Sequence, residues 1–207
     1  DGKGNDLNIG FIYGKKNNLG IIAIVDNKFN ILQVIDEYNT GTKFNEWVYL
    51  NIDITNGNIY GMDIQSNKFR FILLNNFLVK TPAQQNYEVK LRNSYILELN
   101  QLAVNFVEKN PSSSFYAIIG NDNTGKPLVS TYKIEVGSQN ELIDYPFNGY
   151  PSGTIETYNI EWTGENYYIK FCTTYNDSSG THYEEYKLES GDEQITIAYN
   201  KVIYVNV

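Results

Sequence analysis

The sequence predicts an all-β protein with antiparallel sheets, and three observations lead to that prediction. Apolar and polar residues alternate with a period of two in short runs that are bounded by Asn, Gly, Asp or Thr. Tyrosine, which favours half-buried pleated surfaces, accounts for 18 of the 207 residues. Two hairpins in the first half also resemble each other. The favoured arrangement is a small β-propeller or propeller-like array of about four to five blades, and a β-sandwich is the alternative.

The predicted strands of the first half follow one another with short polar turns between them. The first three are NIGFIYG, LGIIAIVD and FNILQVID, at 8–14, 19–26 and 29–36. YLNIDIT, NIYGMDI and FRFILLNN follow them. Turn-forming residues bound each run, as expected for strands joined by tight connections.

The two similar hairpins lie at 21–36 and 58–76. Each contains an apolar strand, an aspartate, a polar turn, a Lys-Phe pair and a second apolar strand, and the Lys-Phe pairs at 28–29 and 68–69 are 40 residues apart. A repeat of that length built from short strands indicates propeller blades or another repeated β unit. Looser hairpins follow, and we expect roughly fifteen strands, with about four in each blade.

The segment 94–110 is the best candidate for a helix, because Tyr95, Leu99, Leu102 and Phe106 recur at helical spacing. Two strands that divide near Asn100 are the favoured interpretation.

The loop PFNGYPSG at 146–153 is the predicted boundary between a first β region at 8–145, with blade-like hairpins, and a second at 154–207. One continuous domain is the alternative. Residues 1–7 are predicted to be a flexible N-terminal segment.

Composition argues against several classes of partner. The formal net charge is −8 and no basic stripe is present, so we expect no nucleic-acid partner. The longest apolar run, GIIAIV at 20–25, is far too short to span a bilayer, so we expect no membrane insertion. Cys172 is the only cysteine, which rules out an internal disulfide and fits cytosolic synthesis, including that of virion proteins.

The residues that could support nucleophilic catalysis are few. His182 is the only histidine, and the pattern of THYEEY predicts that it lies on a solvated strand face. Cys172 lies in the apolar run YIKFCTTY and is predicted to be a core thiol. One histidine and one cysteine do not make the usual zinc ligand set.

Paired carboxylates are the main enzymatic alternative, since glycosidases use two carboxyl groups that face each other across a cleft. The candidates are Asp26, Asp63, Asp122 and Asp177, which recur near strand ends. An aspartate before a hairpin turn also caps backbone donors with its side chain, and this structural interpretation is favoured.

A cofactor is not expected. DGKGNDLNI at the start of the chain resembles one copy of the glycine- and aspartate-rich nonapeptide of calcium-binding β-rolls. The apolar slot is occupied by Asn8 and no second copy follows, so a linker is favoured over a calcium site at 1–6.

One segment resembles a known family. FNEWVYLNIDITNGNIYGMDIQSNKFRFILLNNF, at 44–77, resembles blades of β-propellers of the kind found in the NHL and related repeat families. Together with SSFYAIIGN and with KIEVGSQNEL at 133–142, it is similar to tail- or appendage-associated virion proteins of phages that infect low-GC Gram-positive bacteria. The resemblance implies a role in attachment, baseplate structure or delivery, and it supplies no catalytic residue.

These observations predict a non-enzymatic virion or surface-associated module that binds a partner protein of its assembly or a host cell-wall glycan. Its location would be the virion or an extracellular surface. Tyrosine suits recognition surfaces, and exposed aromatic rings would stack on sugars. The candidate ligand-binding residues are Trp47, Tyr60, Tyr150 and Trp162, although both tryptophans are favoured as core residues. The alternatives are a carbohydrate-active propeller enzyme and a purely structural assembly domain.

Overall fold

The structure is a computed structural model, and it describes residues 9–41, 43–53, 58–80, 87–133, 141–149 and 153–203. These residues contain fifteen strands and one short helix, and every sheet is antiparallel, so the all-β prediction is confirmed. The chain divides into two compact units, Asp1–Leu99 and Asn100–Val207.

The first unit contains two sheets in which neighbouring strands are also consecutive in sequence. The three-stranded sheet consists of β1 (Ile9–Lys16), β2 (Leu19–Asp26) and β3 (Ile31–Ile35), and helix α1 (Glu37–Thr40) follows it. The four-stranded sheet consists of β4 (Glu46–Asp53), β5 (Asn58–Gln65), β6 (Lys68–Lys80) and β7 (Tyr87–Glu98).

The second unit contains two four-stranded sheets with the same simple order. The first consists of β8 (Ala103–Lys109), β9 (Phe115–Asn121), β10 (Pro127–Lys133) and β11 (Glu141–Pro146). The second consists of β12 (Thr154–Thr163), β13 (Asn166–Asp177), β14 (Gly180–Glu189) and β15 (Thr196–Ile203). The predicted boundary loop at 146–153 therefore lies inside the second unit, between β11 and β12.

The segment at 94–110 forms two strands, as the favoured interpretation expected, and the helical alternative is wrong. β7 ends at Glu98 and β8 begins at Ala103. Leu99 is 3% exposed, whereas Leu102 is 58% exposed, so the apolar residues at helical spacing do not share a buried face. β7 pairs with β6, and β8 pairs with β9. These pairings supply the backbone hydrogen bonds that a helix would otherwise have made.

The three four-stranded sheets share a backbone irregularity as well as a strand order. In each, the first strand contains a β-bulge at its third residue, where one residue has no direct partner in the second strand. The bulged residues are Val48, Asn105 and Glu156. A bulge bends its strand and increases the local twist, so the first strands of the three sheets share this local distortion.

Each unit has its own hydrophobic core between its two sheets. The core of the first unit contains Ile22, Ile24, Ile35, Phe44, Trp47, Ile59, Ile72 and Leu74. The core of the second contains Ala117, Ile119, Val129, Phe147, Ile155, Tyr167, Ile169, Phe171, Tyr186, Leu188 and Ile195. In β9 and β10 nearly every residue is buried, whereas burial alternates along β13, so one face of the last sheet packs inward and the other faces outward.

Two glycines of second strands, Gly61 and Gly120, lie where the backbone of the first strand of the sheet approaches closely. A Cβ added at Gly120 in β9 would lie 2.0 Å from the carbonyl oxygen of Ala103, and one at Gly61 in β5 would lie 2.4 Å from that of Tyr49. Both contacts are with backbone atoms, which cannot rotate away, so these positions require glycine.

We expect Gly120→Ala to lower the free energy of unfolding by about 1–3 kcal/mol, because the new methyl group forces β8 and β9 apart. Gly14→Ala in β1 is the matched control, since a Cβ at Gly14 meets nothing within 4 Å. We expect the control to change stability by less than about 0.5 kcal/mol. Urea unfolding followed by circular dichroism measures both, and equal stabilities for the two variants would contradict the close-approach argument.

Candidate functional site

Three of the four predicted carboxylates cap the hairpin turns in which they lie. In each case one carboxylate oxygen accepts the backbone N–H of the residue two positions later. The distances are 2.8 Å from Lys28 N to Asp26, 2.7 Å from Thr124 N to Asp122 and 2.8 Å from Ser179 N to Asp177. This is the turn chemistry that the favoured interpretation expected.

Hydrogen bonding lowers the pKa of all three carboxyl groups. The bonds from the Asn30 side chain and backbone lower the pKa of Asp26. Burial alone would raise the pKa of Asp122, but the bonds from Thr124 and Lys126 outweigh it and lower the pKa. A carboxyl group that acts as a general acid at neutral pH needs a raised pKa, so neither Asp26 nor Asp122 is suited to that role.

Asp63 differs from the other three, because it lies within β5 and is fully buried. It forms an ion pair with Arg70, its direct cross-strand neighbour in β6, in which Arg70 Nε donates to Asp63 Oδ1 over 2.8 Å. Asn45 N donates to Asp63 Oδ2 over 2.6 Å, and an Arg70 Nη donates to the carbonyl oxygen of Lys43 over 3.2 Å. Hydrogen bonds to Asp63 thus link the segment before β4 to the β5–β6 hairpin.

The four carboxylates are therefore distributed over four sheets, one in each. Asp26, Asp122 and Asp177 accept hydrogen bonds within their own hairpins, and Asp63 accepts them from Arg70 of its own sheet and from Asn45 before β4. No hydrogen bond among the described residues joins two of them.

The richest group of chemically active side chains is at the tip of the β13–β14 hairpin. Asp177 Oδ2 lies 2.9 Å from His182 Nε2, and Ser179 Oγ lies 3.0 Å from the same nitrogen. Ser179 also donates through its hydroxyl and its backbone N–H to Asp177 Oδ1. The imidazole of His182 stacks on the Tyr175 ring with centroids 4.3 Å apart.

This group contains Asp, His and Ser but lacks the geometry of a catalytic triad. In a triad the acid contacts one ring nitrogen and orients the imidazole, and the other ring nitrogen takes the proton of the nucleophile. Here Asp177 and Ser179 converge on Nε2 alone. The arrangement closes the turn, and the bonds of Ser179, followed by those of His182, lower the pKa of Asp177 to about 2.

The prediction that His182 lies on a solvated face is wrong. Register places His182 opposite Tyr175, on the same side of the sheet as Phe171 and Tyr186, and the His182 side chain is 13% exposed. The prediction that Cys172 is a core thiol is also wrong, because Cys172 lies on the outward side of β13 and is only half-buried.

Glu184 is a buried carboxylate that the sequence analysis missed. It is 7% exposed. It accepts one hydrogen bond from the Tyr186 hydroxyl and another from Asn200 Nδ2 over 3.4 Å. Thr173, its cross-strand neighbour, has a buried Oγ1 without a hydrogen-bond partner among the described residues. Burial, then the negative charges of Glu184 and Asp177, raise the pKa of Tyr175, which indicates that Tyr175 lies near both carboxylates.

The outward face of the last sheet, made by alternate residues of β12–β15, presents aromatic and polar groups together. Tyr183 Oη lies 2.8 Å from Cys172 Sγ, and the rings of Tyr183 and Tyr199 meet edge to face with centroids 6.4 Å apart. Lys170 pairs with Glu185 over 2.7 Å, and Tyr199 is 51% exposed. Alternate residues of THYEEYKLE lie on opposite sides of the strand. If Leu188 is placed in the core, this alternation assigns Tyr183 and Glu185 to the outward face.

Three of the four predicted ligand-binding aromatic residues are packed against other side chains and do not lie on this outward face. Trp47 and Tyr60 are each 6% exposed, and Trp47 packs against Phe44. Trp162 is half-buried and packs against Phe115 and Tyr167, with centroids 5.5 Å and 6.0 Å away. Tyr150 lies outside the described residues, and a role for it in binding stays a prediction.

A cleft of about 380 Å³ in the first unit lies beside α1 and is lined by Lys16, Asn17, Leu19, Ile21, Asp36 and Glu37.

Among the described residues no group of three or more His, Cys, Asp or Glu side chains is arranged to hold a metal ion. The predicted calcium alternative at 1–6 lies outside the described residues. Within the described ranges, no helix has the length and apolar character needed to cross a bilayer.

Comparisons with known proteins provide no functional assignment. No protein-family model, curated protein or solved structure matches this chain.

We expect Asp63→Asn to lower the free energy of unfolding by about 3–5 kcal/mol, because it leaves the Arg70 cation buried without its counter-ion. Glu98→Gln is the matched control in the same sheet, since the Lys68–Glu98 pair is more than 60% exposed on both sides. The control should cost less than about 1 kcal/mol. Chemical unfolding measures both, and a similar small loss in both variants would contradict a structural role for the buried pair.

We expect a carboxyl NMR titration to give Asp177 a pKa of about 2, below its ordinary value of 3.8. Because the folded-state pKa is lowered, the capped carboxylate stabilises the hairpin above that ordinary value, and this stabilisation is lost as pH falls toward 2. Ser179→Ala should raise the pKa of Asp177, since the Ser179 hydroxyl bond makes the largest contribution. Ser178→Ala is the control, and an equal shift in both variants would count against the assigned cause.

Proposed function

We propose that this chain is a non-enzymatic binding or structural module of a virion or another surface-associated assembly, built as a propeller-like array of β-meander blades. Its partner would be a cell-wall glycan of a Gram-positive host or another protein of the same assembly. The observation that carries the non-enzymatic part is the role of the predicted carboxylates. Asp26, Asp122 and Asp177 cap turns, and Asp63 is neutralised by Arg70.

Two features of the fold support the propeller-like arrangement. Three sheets are four-stranded meanders with a bulge at the third residue of the first strand, as expected for copies of one blade. The central strands β9 and β10 are buried along nearly their whole length, which is what a blade flanked on both sides requires.

The resemblance of 44–77 to propeller blades and to phage appendage proteins supports the surface-associated part of the proposal. A tail or appendage protein meets the host surface first, and hydroxyl-rich wall polymers are the ligands available there. The negative charge of the chain favours uncharged polymers or basic partner surfaces over anionic ones.

A carbohydrate-active enzyme remains the second candidate, and one observation favours it. Glu184 is buried, and Tyr175 lies near both Glu184 and Asp177, so two carboxylates flank one tyrosine at the end of the last sheet.

The proposal is tested by incubating the purified chain with whole cells and with extracted wall polysaccharides from a panel of Gram-positive bacteria, with added calcium and with EDTA. We expect strain-restricted binding and no release of reducing ends. Asp26→Asn, Asp122→Asn and Asp177→Asn should each bind like the unaltered chain, because these side chains serve only their own turns.

Hydrolysis that is abolished by Glu184→Gln or by any of the aspartate variants would overturn the non-enzymatic proposal. Binding to no strain by a folded sample would favour the purely structural alternative, with partners inside its own assembly. A calcium requirement for binding would point to the predicted site at 1–6.

A further inference from the structure

The last sheet differs from a wholly buried blade because one side of it is available to a ligand. Register pairs Tyr183 with Thr174 on one side and with Lys201 on the other, and pairs Tyr199 with Glu185. All five residues therefore point to the same, outward side of the sheet.

The two tyrosines form a compact aromatic unit on this side. They are diagonal neighbours on adjacent strands, which is the separation at which long side chains still touch. The Tyr183 hydroxyl is hydrogen-bonded to Cys172 Sγ on the same side of the sheet. That bond raises the pKa of Tyr183 to about 12, so the phenol stays uncharged at neutral pH. Tyr199 rests against Tyr183 and keeps half of its surface open.

The charged groups near the rings are of both signs and two pairs of them are joined. Lys170 is paired with Glu185 over 2.7 Å, and Lys187 with Glu189 over 3.5 Å. The Thr174 hydroxyl is hydrogen-bonded to Glu156. A surface of exposed aromatic area, hydroxyl groups and paired charges complements an uncharged ligand with many hydroxyl groups.

We propose that the outward face of the β12–β15 sheet, centred on Tyr183 and Tyr199, binds a neutral, hydroxyl-rich glycan chain. The Tyr199 ring stacks on a sugar ring, and Glu185, Lys201 and Thr174 exchange hydrogen bonds with its hydroxyl groups. This inference rests on the proposed function and assigns its ligand class and its surface, at residues that differ from those the sequence analysis selected.

Isothermal titration with cellohexaose, chitohexaose and the neutral fraction of Gram-positive wall polysaccharide tests the inference on the full chain. We expect at least one of these probes to bind and Tyr199→Ala to weaken that binding by about tenfold or more, as loss of a central aromatic contact does. Tyr199→Phe keeps the ring and should bind within about threefold of the unaltered chain.

Tyr13→Ala is the matched control, because Tyr13 is a tyrosine of similar exposure, 43%, in β1 of the other unit. It should bind like the unaltered chain. Thermal unfolding of each variant checks that Tyr199→Ala, a change at an exposed position, leaves the fold intact.

Two outcomes would overturn the glycan surface: equal binding by Tyr199→Ala, or no binding of any neutral probe at millimolar concentration. The cell-binding assay separates this inference from the proposed function. If Tyr199→Ala still binds cells, attachment uses another surface. If the chain binds the oligosaccharides but no cell, the glycan surface stands and the proposed host attachment fails.

Discussion

The register of the hairpin between the second and third strands of each sheet is the constraint on which the other features depend. A slip of one residue would turn every side chain of a strand to the opposite face. Three of these hairpins are held by an aspartate that caps its own turn, Asp26, Asp122 or Asp177. The fourth closes through Ser66 and Asn67, whose φ values of 52° and 63° match the twist of a two-residue hairpin.

Register then decides which residues meet the core and which meet solvent. In the last sheet, the turn at Asp177 places Phe171 against Tyr186 in the core, stacked with centroids 5.1 Å apart. The same register sends Cys172 and Tyr183 outward. The bulges at the start of the four-stranded sheets add curvature. Because each bulge inserts a single residue, the inward positions of the first strand change from odd to even or the reverse across it, as from Ile155 to Tyr158 in β12.

Buried polar groups in this fold are engaged in holding strands together, which limits what chemistry they can perform. Removing Asp63 or Arg70 from water is costly, and the cost is offset only because several hydrogen bonds converge on the pair. Gln101 makes a similar link in the second unit, where its Nε2 donates to the carbonyl oxygens of Ile118 and Leu128 over 3.0 Å each. A side chain fixed in this way is a poor acid or base, whereas Tyr199 on the outward face keeps about half of its surface exposed.

The sequence by itself determined the strands, the tight turns and the role of the turn aspartates. These features depend on backbone preferences and hydrogen bonds within a few residues, as between Asp177 and Ser179. The tertiary structure decided the positions of three further side chains. His182 and Glu184 are polar but lie on the buried side of β14 with Tyr186 and Leu188, and Cys172 lies on the opposite side of β13 from Phe171. The identity of the Asp63 partner and the strand pairing at 94–110 were decided by neighbouring strands, because burial and cross-strand pairing are properties of two packed surfaces.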